Sequence, residues 1–317
     1  MNNISYLKRK NPLNKKVNDK SLVLLRLGEI CNFKCPMCPI SGENERFIHA
    51  SNELIRRVDY LCNLGFKQFV LTGGEPTIHP GFIKIIERIN AHGIPWDINT
   101  NASSFVDNKL VLKCKQNGLR RSIVSLHSHL DNTSATIFGT STIKVQNTIS
   151  GTANLSNNGI EVLLNYVLNK HNYNQLSDYL EYVSCSFPRI KSVKFAFPNG
   201  MGIGKSWNGL KISYSEIKPY LIEAKQTAKD VGINIFFEGI PNCIHLIPTH
   251  PNYGRSQFGE THYLDEVSGK KITQIDQLEV NSSVFSTKCA RCSSAKFCSG
   301  ITSGYFQKYG FDELVPF

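Results

Sequence analysis

No stretch of 18 or more consecutive apolar residues occurs in this chain of 317 residues, so no membrane-spanning helix and no membrane partner are predicted. The N-terminus lacks the apolar core of a secretory signal, and a cytoplasmic location is the expectation. Acidic residues are scarce: 25 Asp and Glu stand against 36 Lys and Arg, a net charge of +11. Charged residues make up 19% and hydrophobic residues 41%, the composition of a globular protein. The length allows one large core with an appendage. Much of the positive excess sits early, with Lys8, Arg9, Lys10, Lys15, Lys16 and Lys20 against Asp19. Residues 1–20 therefore read as a basic flexible arm. A handle for an acidic peptide or nucleic acid is the alternative. No nucleic-acid-binding signature accompanies it, so nucleic acid is not the expected partner.

Cysteine is what the chain has in quantity, ten in all. A disulfide framework would need an oxidising compartment, and the missing signal argues against one. Seven of the ten fall at metal-ligand spacings, which favours metal or cluster binding. Cys31, Cys35 and Cys38 form a CxxxCxxC run after the apolar strand-like segment Leu22–Leu27. Three thiolates on one short loop can hold three irons of a [4Fe–4S] cube and leave the fourth open. A second motif, Thr72-Gly73-Gly74-Glu75-Pro76, follows the apolar run Phe69-Val70-Leu71. Two glycines at a strand end allow close approach to the backbone, and the Glu75 carboxylate could receive an ammonium group. An ordinary Gly-Gly turn is the bland alternative.

Short apolar runs alternate with amphipathic stretches from Leu22 onward. Strands are predicted at Leu22–Leu27, Lys67–Leu71, Trp96–Thr100, Ser122–Leu126, Glu161–Val167 and Ser192–Phe197. Helices are predicted at Asn52–Leu64, Phe82–Ala91, Asp107–Asn117, Ile143–Asn157, Tyr173–Ser184 and Ser215–Val231. This alternation implies an α/β fold of parallel strands with right-handed crossovers. Six such units are too few for a full eight-unit barrel and fit a partial (β/α)6 barrel. Chemistry then belongs at the C-terminal strand ends, where both motifs lie.

CxxxCxxC after the first strand and GGEP after the second resemble the radical S-adenosylmethionine (SAM) enzymes. The resemblance covers roughly Leu22 to Phe197. It implies that Cys31, Cys35 and Cys38 bind a [4Fe–4S] cluster whose open iron is chelated by SAM, and that Gly73, Gly74 and Glu75 contact the SAM amino group. It also implies that the strand-end residues Asn99, Asn101, Ser125 and Asn165 contact the SAM ribose and carboxylate; loop capping is the alternative for each. Met37 stands where the family places an apolar residue against adenine, a contact a thioether can make. His127 and His129 are candidates for proton handling or substrate contact, with a hydrogen-bonded structural histidine as the alternative for both.

Near the C-terminus Cys289, Cys292 and Cys298 form CxxCxxxxxC, preceded by Cys243. Four soft ligands suffice for a closed cluster; tetrahedral zinc is the alternative. The segment resembles the auxiliary-cluster domains called SPASM and Twitch. One cysteine set fits the single-cluster Twitch type better, since a full SPASM domain usually carries two clusters. His262–Glu266 and Lys271–Thr273 flank Ser268-Gly269, a predicted hairpin. Cys62, Cys114 and Cys185 read as structural. The expected domains are the arm at 1–20, the barrel at 21–231 and the auxiliary-cluster domain at 232–317.

The resemblance implies reductive cleavage of SAM to a 5′-deoxyadenosyl radical that abstracts hydrogen from a substrate. It also implies a low-potential electron donor of flavodoxin or ferredoxin type. Maturation of a ribosomally made peptide is the expected role. A nucleotide, sugar or cofactor precursor is the alternative substrate, and a non-catalytic Fe–S or zinc protein that senses redox state or binds nucleic acid is the rival class. Twenty residues of arm are too short for a leader-binding domain, so a separate substrate-delivery protein is a further possible partner.

Overall fold

The structure is a computed structural model that describes residues 21–38, 47–198, 208–246, 260–264, 272–274, 283–295, 298 and 300–317. The basic arm and the Ser268-Gly269 turn lie outside the described residues. Strands β1 Ser21–Arg26, β2 Gln68–Thr72, β3 Trp96–Thr100, β4 Leu119–Ser125, β5 Glu161–Val167, β6 Ser192–Ala196 and β7 Asn234–Glu238 form one parallel sheet in sequence order. Beyond β1 the sheet continues with β8 Glu260–Leu264, parallel to β1, and β9 Ile272–Gln274, antiparallel to β8. The connecting helices are α1 Ser51–Asn63, α2 Phe82–Ala91, α3 Asn108–Gln116, α4 Asp131–Phe138, α5 Thr142–Asn157, α6 Leu176–Ser186 and α7 Tyr214–Val231. This is the partial barrel that the alternating pattern predicts. No described helix is long and apolar enough to cross a membrane.

Alternation along each strand sorts side chains onto two faces. Val23, Leu25, Phe69, Leu71, Trp96 and Ile98 belong to the large core under the helices. There they meet Leu54, Val58 and Leu61 of α1 and Phe82, Ile85, Ile86 and Ile89 of α2. The opposite, inner face has a smaller apolar floor of Leu22, Val70, Ile123 and Leu163, with Leu24 and Phe236 against it. Toward the N-terminal strand ends the inner face is closed by ions: Asp97 pairs with Arg120 at 2.9 Å and Arg121 at 3.4 Å. Toward the C-terminal ends the register aligns Ser125 with Asn165 and Asn165 with Lys194. The inner face is therefore apolar at mid-height and polar at its mouth.

Two elements of the parallel sheet and its connections were not predicted. Helix α4 has a polar composition, DNTSATIF, with a weak amphipathic pattern. Strand β7 pairs with β6 and extends the parallel sheet past residue 231, so the sheet runs across the boundary expected at 231/232. After β7 come α8 Asn242–His245, the antiparallel pair β10 Ser283–Val284 and β11 Ile301–Thr302, and α9 Ser303–Tyr309. This part is fastened to the start of α7. Tyr305 stacks on Tyr214 at 4.0 Å between ring centroids. The Tyr214 N–H donates to the Tyr305 hydroxyl at 2.7 Å, and the Ser215 N–H donates to Glu313 at 2.9 Å. The Tyr305 hydroxyl in turn donates to Glu313.

Candidate functional site

The chain leaves β1 at Arg26 and runs through Gly28–Ile30 into the cysteine loop. The two glycines after β2 receive this run. Gly74 N–H donates to Gly28 O and Glu75 N–H to Ile30 O, both at 2.9 Å. A Cβ on Gly74 would stand 2.1 Å from Ile30 O, and one on Gly73 2.2 Å from Gly28 O. The close approach read into the Gly-Gly pair is thus made by the chain itself.

Phe33 anchors the loop from below. It is 2% exposed, packs on Phe138 of α4 at 5.0 Å between ring centroids, and shares a small core with Val145 of α5. The Lys34 N–H donates to Phe138 O at 3.1 Å, and the Lys144 ammonium donates to Asn32 O at 3.2 Å. Gly139, with φ +58°, ends α4 where a Cβ would meet Lys34 O at 2.2 Å. The polar helix missed in the sequence is therefore the platform of the cysteine loop.

Cys31, Cys35 and Cys38 lie half-buried on that loop. Burial pushes the thiols of Cys31 and Cys35 up from their ordinary range, and charge on the neighbouring cysteines of the loop adds to the rise. Met37 lies half-buried in the turn closed by the Cys38 N–H to Cys35 O bond at 3.1 Å. Asn101, at the end of β3, reaches the loop. Its amide donates to Asn32 Oδ1 at 2.8 Å and lies 3.9 Å from Cys31 Sγ. Asn32 donates to Ser103 at 2.8 Å. Asn32 and Ser103 went unpredicted; the only signal for them was position beside Cys31 and Asn101.

Glu75 is 2% exposed. Its Oε1 accepts from the Thr77 hydroxyl at 2.6 Å, the Thr77 N–H at 3.2 Å and the Thr100 hydroxyl at 2.8 Å. Its Oε2 accepts from the Asn101 N–H at 2.7 Å. Burial raises its pKa from the usual carboxylate range, and these bonds oppose the rise. The carboxylate therefore braces β2 against β3, and Oε2 retains acceptor capacity for one more donor.

Asn99, Ser125 and Asn165 lie on the inner face. Asn99 donates to Thr72 Oγ1 at 3.3 Å. Asn165 Oδ1 is buried without a hydrogen-bond partner, an acceptor that a bound group with a donor would satisfy. His127 and His129 lie apart from these. His127 is 3% exposed, stacks near Phe138 and accepts the Val167 N–H at Nδ1. Burial pushes its pKa down to about 3, which favours the hydrogen-bonded structural reading of this ring. His129 faces α6, with Tyr182 at 6.0 Å and burial lowering its pKa.

Cys243, Cys289, Cys292 and Cys298 line one pocket that opens to solvent. Its other walls include Val284, Phe285, Ala295 and Leu314. Among the described residues no three Cys, His, Asp or Glu side chains converge as a single metal ion requires. Four thiols against apolar walls fit a thiolate-held cluster or a tetrahedral metal ion. For the loop site, three neighbouring thiols above an inner face with an open Glu75 oxygen and an orphaned Asn165 oxygen likewise fit a three-thiolate cluster with SAM.

Comparison with known proteins agrees in fold and family. Residues 25–183 match the Radical SAM superfamily. A protein of Saccharolobus islandicus named "Probable GTP 3',8-cyclase" is 28% identical over 159 residues, 50% of this chain and 51% of that one. One of the same name from Sulfolobus acidocaldarius is 27% identical over 201 residues, 63% of each chain. The matches to the first of these relatives span about half their length. Streptococcus suis SuiB bound to S-adenosylmethionine superposes on 92% of this chain and 74% of its own, with TM-score 0.61 and 17% identity. SuiB bound to the precursor peptide SuiA superposes on 92% of this chain and 73% of its own, with TM-score 0.64 and 17% identity. With half of its length matched to one superfamily, and with that superfamily's fold built around the Cys31 loop, the chain belongs to the radical SAM superfamily.

Proposed function

We propose that this enzyme carries two [4Fe–4S] clusters and modifies a peptide. Cys31, Cys35 and Cys38 hold the first cluster, and Cys243, Cys289, Cys292 and Cys298 hold the second in a Twitch-like segment spanning 232–317. When bound, the first cluster and SAM supply reductive C–S cleavage and the radical that takes hydrogen from the substrate. The chain's own residues orient and shield. Glu75 Oε2 accepts the SAM ammonium, while Asn99, Asn101, Ser125 and Asn165 offer polar contacts from the mouth of the inner face, and Met37 offers its thioether to adenine. The apolar floor of Leu22, Val70, Ile123 and Leu163 keeps water from below. An electron donor of flavodoxin or ferredoxin type serves the first cluster.

The observation that carries the second cluster is the convergence of all four C-terminal cysteines on one cavity. The peptide reading draws support from SuiB, a protein crystallised with its precursor peptide, whose fold covers 92% of this chain. A nucleotide substrate is the second reading, favoured by the 28% identity to a protein named for GTP cyclisation. Anaerobic reconstitution tests the cluster assignment. About eight irons should bind, and about four when Cys31, Cys35 and Cys38 are all changed to Ala. Saturation near four irons with one zinc would overturn the second cluster. With SAM and dithionite the wild-type protein should release 5′-deoxyadenosine.

A further inference from the structure

Among the strand ends, those of β2 and β3 reach the cysteine-loop segment through Gly74, Glu75 and Asn101. The last two strands of the parallel series, β6 and β7, present a different set. Val193 and Phe195 belong to the helix-side core, so Lys194 and Ala196 face the inner side. Register pairs Lys194 with Asn165 on one side and Phe236 on the other, and pairs Ala196 with Glu238. The Lys194 ammonium reaches toward the mouth and donates to Glu238 Oε2 at 2.5 Å. The Lys194 side chain is 18% exposed and that of Glu238 57%. Immediately after β7 the chain supplies Cys243 to the C-terminal cavity. In strand order this ion pair thus stands between the cofactor side of the barrel and the second cysteine set.

We infer that Lys194 and Glu238 anchor the substrate by an amide edge, an N–H beside a C=O. An ammonium has three donors, and one is used here on Glu238. A carboxylate has about four acceptor sites, and Lys194 fills one. The pair therefore offers a donor next to an acceptor on the inner face of the sheet, with the small Ala196 beside Glu238 in the register. Such an edge is presented by the N–H and C=O of one residue in an extended peptide and by the lactam of the guanine ring. This inference rests on the radical SAM reading of the site, and its two sources match the two substrate readings.

The test uses the anaerobically reconstituted enzyme with SAM, offered two probes: GTP, and a pool of capped synthetic decapeptides identified by mass spectrometry. The variants are Lys194→Met and the exchanged pair Lys194→Glu with Glu238→Lys. The exchange keeps an ion pair between β6 and β7 but reverses the order of donor and acceptor. Wild type should retain one probe, and both variants should bind it at least tenfold more weakly, with the thermal midpoint of the exchanged pair close to wild type. Retention of GTP alone, lost in the variants, keeps the anchor and overturns the peptide reading. A retained peptide that either variant binds as well as wild type overturns the anchor and leaves the peptide reading standing. Retention of neither probe by wild type overturns the amide-edge assignment.

Discussion

Glu75 is a residue with two tasks. Three of its accepted hydrogen bonds end on one oxygen and one on the other. The first task, joining the ends of β2 and β3, is internal. The second, receiving an ammonium at Oε2, is the proposed one. Glu75→Gln separates them from wild type without changing size. The amide nitrogen must face at least one donor that cannot turn away, the Thr77 N–H or the Asn101 N–H. Leaving such a buried donor unpaired costs about 1–3 kcal/mol, and urea unfolding of the cluster-free protein should fall by that amount. Loss of charge should also weaken SAM binding by about tenfold, the scale of a charge-assisted bond. Equal SAM affinity in the variant would remove Glu75 from the cofactor site and leave the brace alone.

At the scale of elements, the cysteine loop is held from two sides: by the backbone of the Gly73-Gly74 turn above, and by Phe33 on α4 and α5 below. Phe33→Ala removes a ring packed on Phe138 and Val145. Truncating a buried Phe costs about 3–5 kcal/mol, and a loop that relaxes into the space should bring the value to the low end. Iron on the first site should fall, while iron on the C-terminal set stays near four in the same preparation; an unchanged total would mean that the thiols alone set the loop. Much of this architecture was legible in sequence. Phe82–Ala91, Trp96–Thr100 and Glu161–Val167 form over the spans predicted, because their apolar periods are strong. Helix α6 starts at Leu176, not Tyr173, since Asn169 and Asn172 close a turn first. Helix α4 escaped because its value lies in tertiary contact with Phe33, which no local pattern records. The cysteines and Glu75 stood out by their motifs, and Asn101 only by what the family resemblance implies at a strand end. The network through Asn32, Ser103 and Thr100 was not legible, since small polar residues at loop ends look alike until their partners are placed. For His127 the sequence left two readings, proton handling and a hydrogen-bonded structural ring, because a strand-end position does not record burial; the 3% exposure and the Val167 contact favour the second.

For the molecule as a whole, the buried histidines set a pH limit on the fold. Burial lowers His127 to about 3 and His245 to about 4. His245 is 2% exposed and stacks on Phe237 at 4.8 Å. Both rings are neutral in the folded chain near pH 7, whereas in the unfolded chain each titrates near the ordinary histidine value of 6.5. Between these values the unfolded state binds more protons, so stability falls as pH falls. The loss begins near pH 6.5 and continues to the folded pKa of each ring. Between pH 7 and pH 5 each histidine should remove about 2 kcal/mol. His127→Gln deletes one such contribution and can keep an acceptor for the Val167 N–H. It will also lose packing against Phe138, so the quantity to compare is the change with pH, not the stability at either pH. Urea unfolding of cluster-free protein at pH 7 and pH 5 should show a drop about 2 kcal/mol smaller in His127→Gln than in wild type. Titration of the surface carboxylates enters both proteins alike and cancels in that difference. Equal drops in the two proteins would mean that His127 takes up its proton in the fold over the same pH range as in the unfolded chain, and would reopen the proton-handling role that its burial argues against.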